Sequence, residues 1–197
     1  PLQPFTRCYW RITLWDHEGV PHDSPVAVFE TGMMQTGNWQ GSWIGDNRDI
    51  HYKPAPYFRK EFTAGRPIRS ARAYIAAAGL YELYLNGERV GDHRLDPLYT
   101  RYDRRNLYVT YDVTRQLREG ANAVGVLLGN GWYNHQSGAV WNFERAPWRN
   151  RPTFCLDLRI VRKRLNEGGD GSAADRRAAP RDEDRSRQNA LASGKVQ

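Results

Sequence analysis

The residues of this chain best equipped for ligand chemistry lie in "GNGWYNHQSGAVWNF", positions 129–143. Asn130, Trp132, Tyr133, Asn134, His135 and Trp141 stand close together there. Indole and phenol rings offer flat apolar faces for a ligand to stack on, and primary amides both donate and accept hydrogen bonds. Glycines on both sides of Asn130 free the backbone to approach a ligand closely. The competing reading is a rim loop whose aromatics cap the core or pack on a neighbouring module. A second stretch, "DPLYTRYDRR" (96–105), sets Tyr99, Arg101 and Tyr102 beside Asp96. Its competing reading is a loop fastened by Asp–Arg pairs, which contribute little when exposed.

Other chemistries find no support. Cys8 and Cys155 are too far apart in sequence to suggest a disulfide framework or a zinc site. Cys8 shares an apolar face with Trp10, Ile12 and Leu14 and is expected in a core, whereas Cys155, beside Asp157 and Arg159, is expected to be partly exposed. His17, His22, His51, His93 and His135 show no metal-ligand spacing. The carboxylates have structural readings close at hand: Asp112 opens a short turn, Asp103 lies among arginines, Glu82 projects from a strand, and Asp92 follows a glycine.

The elements that must position the two aromatic stretches are strands. "CYWRITLWD" alternates from Cys8 to Trp15 and turns at Asp16–Gly19, and "VAVFETG" (26–32) reads as its antiparallel partner. Further runs follow at 57–62, 71–78, 80–85, 107–113, 124–128 and 153–161. Asn86-Gly87 sits between two runs and signals a type I′ hairpin. "TRQLREG" reads as one helical turn with Thr114 as N-cap and Gly120 as its stop. Crossover helices of the length a parallel sheet requires are not seen. Short strands with turn residues between them predict an all-β fold, a β-sandwich.

The formal charge of +7 raises nucleic acid as a partner. Residues 162–197 carry +3 of it, and the basic residues elsewhere are interleaved with acids instead of forming a stripe, so nucleic-acid binding is not expected. No apolar run is long enough for a membrane span. From residue 164 onward the chain has no aromatic residue and dense mixed charge, which predicts a disordered tail over 164–197.

The ordered set "GLYELYLNG", "VGD", Pro97 followed by Thr100-x-Tyr102, "TYDVT", "LREG-N" and "LLGNGWY" resembles the N-terminal β-sandwich domain of bacterial α-L-rhamnosidases. "CYWRITLWDHEG" and "VFETGMM" resemble the last strands of the fibronectin-III-like module that precedes it, with "NWQGSWIG" and "APYFRKEF" at the junction. The expected organisation is the end of that module over 1–36, a jelly-roll-like sandwich over 37–163 and the tail over 164–197. The start and the tail depart from the family's pattern, and the chain reads as a piece of a longer enzyme.

The resemblance implies an inverting glycoside hydrolase whose acid and base, about 6.5–9.5 Å apart, belong to a separate (α/α)6 barrel. No residue of this chain is therefore expected to be catalytic, and the fragment alone is expected to be inactive. The implied role is accessory: to recognise a rhamnose-containing glycan and to buttress the protein's own catalytic barrel. Sugar C–H faces, and the methyl group of a 6-deoxy sugar, suit Trp and Tyr rings. The candidate residues are Asn130, Trp132, Tyr133, Asn134, Trp141, Tyr99 and Arg101. The alternatives are a purely structural interdomain module or a sandwich lectin for another glycan. Related sandwich modules hold calcium through side-chain oxygens, and Asp92 and Asp96 are the candidate ligands, though no loop shows a dense ligand spacing. Cofactors are otherwise not expected, and a bacterial protein of cytoplasmic or secreted location fits equally well.

Overall fold

A computed structural model describes residues 1–65, 67–138 and 141–163, and the stretch expected to be a disordered tail lies outside them. The chain divides into two compact units, Pro1–Gln40 and a second from Gly41 on. Among the described residues there are twelve strands and two short 3-10 turns, with no α-helix.

The first unit is built from β1 (Arg7–Trp10), β2 (Thr13–Trp15), β3 (Pro21–Asp23) and β4 (Ala27–Glu30). β1 pairs antiparallel with β4, and β2 with β3. The run read as one strand from Cys8 to Trp15 is therefore broken at Arg11-Ile12. There Ser24 replaces a ladder partner: its hydroxyl accepts the Ile12 N–H at 3.0 Å, and its own N–H reaches the Ile12 carbonyl at 2.8 Å. Asp16 closes the tip by accepting the N–H groups of Glu18 and Val20, both at 2.9 Å. The expected burial of the Cys8 face does not hold. Cys8 is half-buried, and Trp10, Ile12 and Leu14 are exposed. Two paired strands have no second layer among the described residues of this unit to cover a face.

The second unit is a two-layer sandwich of antiparallel sheets. Its strands are β5 (Ile44–Gly45), β6 (Tyr57–Ala64), β7 (Ile68–Ala78), β8 (Leu80–Leu85), β9 (Glu88–Arg89), β10 (Tyr108–Asp112), β11 (Gly120–Gly129) and β12 (Thr153–Arg162). One sheet runs β10-β7-β12-β5 and the other β6-β11-β8-β9. Period-2 alternation sorts the core: Ala73, Ile75 and Ala77 of β7 face Leu83 and Leu85 of β8, Val124, Val126 and Leu128 of β11, and Phe154, Leu156 and Leu158 of β12. Ile75, Ala77 and Leu128 are completely buried.

Between β7 and β8 the chain passes from one sheet to the other through a single residue, Gly79, with φ +112°. A Cβ there would stand 2.5 Å from the Gly129 carbonyl oxygen, so only glycine fits. Asn86 and Gly87 take φ of 54° and 86°, as the type I′ turn requires. Asn86 also locks the hairpin to β11: its amide donates to Gln116 O and Asn122 Oδ1 and accepts the Ala123 N–H.

Two local expectations are corrected. The single helical turn over 114–117 forms, with Leu117 N–H donating to Val113 O at 3.2 Å, but its cap and stop differ from those expected. Asp112 caps it through the N–H and hydroxyl of Thr114, while the Thr114 hydroxyl accepts the Ala71 N–H at 2.9 Å, and Gly120 begins β11. Cys155 is buried, because β12 is covered on both faces from Phe154 to Leu158. Burial, and then the neighbouring Asp157, push its thiol up to about 12.

Candidate functional site

The two aromatic stretches, 96–105 and 129–143, meet at one end of the sandwich together with Trp148. Tyr102 is the buried hub. Its ring centroid lies 5.1 Å from that of Tyr133, 5.1 Å from Trp148 and 5.6 Å from Tyr99, all edge-on. Desolvation raises the Tyr102 hydroxyl to about 12. Tyr99 stacks on Phe143 at 5.3 Å, and Phe143 in turn touches Trp132 at 5.5 Å, Trp141 at 5.5 Å and Trp148 at 5.7 Å. Trp132 stacks on His135 at 5.3 Å and meets Trp141 at 6.0 Å. Inward the cluster is packed, and outward it is wet: Trp141 is 66% exposed, Tyr99 44% and Trp132 40%. Four of the sequence-selected residues, Tyr99, Trp132, Tyr133 and Trp141, thus belong to a single surface.

The two amides go elsewhere. Asn134 is completely buried, with its amide donating to Ile50 O and Asn130 Oδ1 and its oxygen accepting from Arg149 Nε. Asn130 donates to Lys53 O at 2.8 Å. Both fasten the 46–54 loop against the base of the aromatic stretch, a task shared with Arg151. That arginine is 3% exposed; it donates to both oxygens of Asp46, at 2.8 and 2.6 Å, and to the carbonyls of Tyr52 and Pro54. Arg151 holds the Asp46 carboxyl below its ordinary value, outweighing the opposing effect of burial. The glycines flanking Asn130 also serve packing. A Cβ on Gly131 would sit 3.0 Å from Leu80 Cγ, and one on Gly129 would sit 3.3 Å from Leu80 Cβ.

Arg101 lies exposed beside the hub and makes a two-bond pair with Asp103, at 2.8 and 3.0 Å. Asp96 is taken up by His93 and Tyr111, and the Asp92 side chain is open to solvent. Among the described residues no three His, Cys, Asp or Glu side chains gather as a metal site would need. Three further acids carry internal partners: Asp112 bonds Arg72 at 2.9 Å, Glu82 accepts from Tyr84, and Asp157 accepts the Gly41 N–H.

Sequence reasoning passed over Phe143 and Trp148. Neither lies in an alternating run, and only the return of the chain toward β12 brings them under Trp132 and Tyr133. Arg151 was equally invisible, because a basic residue just before a strand reads as exposed.

Comparison with known proteins follows this architecture. Residues 66–168 match the α-L-rhamnosidase N-terminal domain, and residues 1–35 match the N-terminal immunoglobulin domain of the Rha78A-like type. The front segment, expected to close a fibronectin-III-like module, therefore finds its match in an immunoglobulin domain. An α-L-rhamnosidase of Formosa agariphila is 34% identical over 180 residues, covering 80% of this chain and 18% of that protein. The solved α-L-rhamnosidase of Dictyoglumus thermophilum superposes with a TM-score of 0.69 at 36% identity, covering 82% of this chain and 19% of the other. That of Aspergillus terreus gives 0.70 at 32% identity, over 82% of this chain and 19% of its own. The chain thus spans under a fifth of the length of these relatives. With more than half its residues matched by that one domain model, the chain belongs to the α-L-rhamnosidase N-terminal domain family.

Proposed function

We propose that this domain is the accessory recognition and support module of an α-L-rhamnosidase, and that its rim aromatics bind a rhamnose-containing glycan. The observation behind this reading is the convergence of two distant stretches on one cluster that leaves Trp141, Tyr99 and Trp132 facing outward. Packed rings hold the exposed ones still, so a sugar face meets a surface whose ordering entropy is already lost. Rhamnose presents C–H groups and a methyl to such rings, each Å² removed from water contributing about 25 cal/mol. Polar side chains next to these rings in sequence, among them Arg101, His135 and Asn142, would offer hydroxyl partners in place of the inward-turned Asn130 and Asn134. The protein's own catalytic barrel would carry the acid and base and would lean on this sandwich.

Titration of the chain with L-rhamnose, followed by intrinsic Trp fluorescence, tests the proposal. A saturable change in the parent that is lost in Trp141→Ala, with the unfolding midpoint preserved, is expected. No response in the parent favours the interdomain reading, in which the same rings pack on another part of the enzyme.

A further inference from the structure

Asp96 occupies the seam between the sheets and is bonded to both. Its Oδ2 accepts the Tyr111 hydroxyl of β10 at 3.2 Å and stands 2.9 Å from His93 Nδ1. Its carbonyl accepts the N–H of Tyr81 in β8 at 2.9 Å, and the Tyr81 and Tyr111 hydroxyls lie 3.0 Å apart. Asp96 therefore closes a hydrogen-bonded circuit through two sheets and the loop that bears Tyr99 and Tyr102, its side chain reaching β10 and its carbonyl β8. A carboxylate suits this place because one oxygen accepts two donors at once and no donor of its own must be satisfied. Beyond Asp96, Thr100 bonds the Arg105 carbonyl and Arg101 bonds Asp103 within the loop, while the Tyr102 hydroxyl bonds the backbone of Gly79.

We propose that Asp96 is the positioning residue of the aromatic rim, fixing the loop so that Tyr99 stands against Phe143 and Tyr102 fills the hub. The proposal rests on the rim being the recognition surface for its consequence on binding, but its geometric content stands apart. Tyr99 lies three positions after Asp96 and Tyr102 six, so a loop loosened from β10 at the Asp96 side chain shifts the very rings that touch Phe143, Tyr133 and Trp148.

The test uses the whole chain with Asp96→Ala, Asp96→Asn and Tyr111→Phe. Far-ultraviolet circular dichroism reads the sheets, near-ultraviolet dichroism reads the coupled rings, and L-rhamnose titration reads the rim. Asp96→Ala is expected to keep the sheet spectrum, lose most of the near-ultraviolet signal and weaken rhamnose binding about tenfold, the scale of one charge-assisted bond. Asp96→Asn retains an acceptor and is expected to restore part of both signals, with Tyr111→Phe falling between it and the parent. Near-ultraviolet spectra of Asp96→Ala and Tyr111→Phe that superimpose on the parent's overturn the proposal. Should Asp96→Ala fail to fold, parent-like near-ultraviolet spectra of both milder variants overturn it equally. A parent chain that ignores rhamnose defeats the recognition reading alone, while the ring spectra still decide the role of Asp96.

Discussion

Arg151 is the residue on which the most polar groups depend. Truncation to Ala takes its charged partner from Asp46 and a donor from the carbonyls of Tyr52 and Pro54, so Arg151→Ala is expected to lower stability by about 3–5 kcal/mol, read as a shift of the urea midpoint. Asp46 gives the pH dependence of the same bond. Its carboxyl is depressed in the folded state, so its contribution is complete above about pH 4 and is lost as pH falls through the depressed value. Acid titration of the parent against Asp46→Asn measures it: the parent loses stability below pH 4 and the variant loses less. The cysteines make a simpler test. With its thiol pushed up to about 12 and its side chain buried, Cys155 is expected to resist iodoacetamide at pH 8 until the chain unfolds, while half-buried Cys8 is alkylated in the native protein. Mass spectrometry of the labelled peptides counts the sites. Arg151 and Cys155 were also the least legible in the sequence, since their burial is decided by segments remote from them, the 46–54 loop for Arg151 and the covered outer face for Cys155.

Strands were far more legible than side chains. Alternation alone separates the inward from the outward residues of β7, β8, β11 and β12, because a period of two permits one assignment once a face is apolar. Asn86-Gly87 marked its hairpin from two letters, and the positive φ of both residues is the reason. Alternation failed where a backbone partner was replaced by a side chain: nothing in "WRIT" announces that Ser24 would interrupt the ladder at Ile12. It failed again at the Cys8 face, because a pattern states which face is apolar but not whether a second layer covers it. The elements accordingly differ in expected protection. Amides of β7, β11 and β12, with completely buried side chains at Ile75, Ala77 and Leu128 and partners on both sides, are expected to exchange slowest with deuterium. Those of β2 and β3, which pair only with each other, should exchange orders of magnitude faster. Equal rates in the two groups would contradict the picture of a sandwich preceded by a thinly covered hairpin.

At the scale of the molecule, the family membership and the all-β architecture were legible together, because the motifs that carry the resemblance are the turns and strand ends that build the fold. The rim was legible only in halves. Tyr99 and Tyr102 lie some thirty residues from Trp132 and Tyr133, and only the fold brings the two groups onto one surface around Phe143, which no sequence pattern singles out. Amides that looked like ligand groups became the fastening of that surface. Recognition of a rhamnose-containing glycan at this surface, as proposed, must register at the surface's own tryptophans. The chain has seven tryptophans, each with its own indole N–H resonance, so an NMR titration with L-rhamnose reads the rim directly. Saturable shifts confined to Trp132 and Trp141, with Trp10, Trp15, Trp39 and Trp43 unmoved, are the predicted result. Indole resonances that all stay in place at saturating sugar, or that move uniformly, would contradict it.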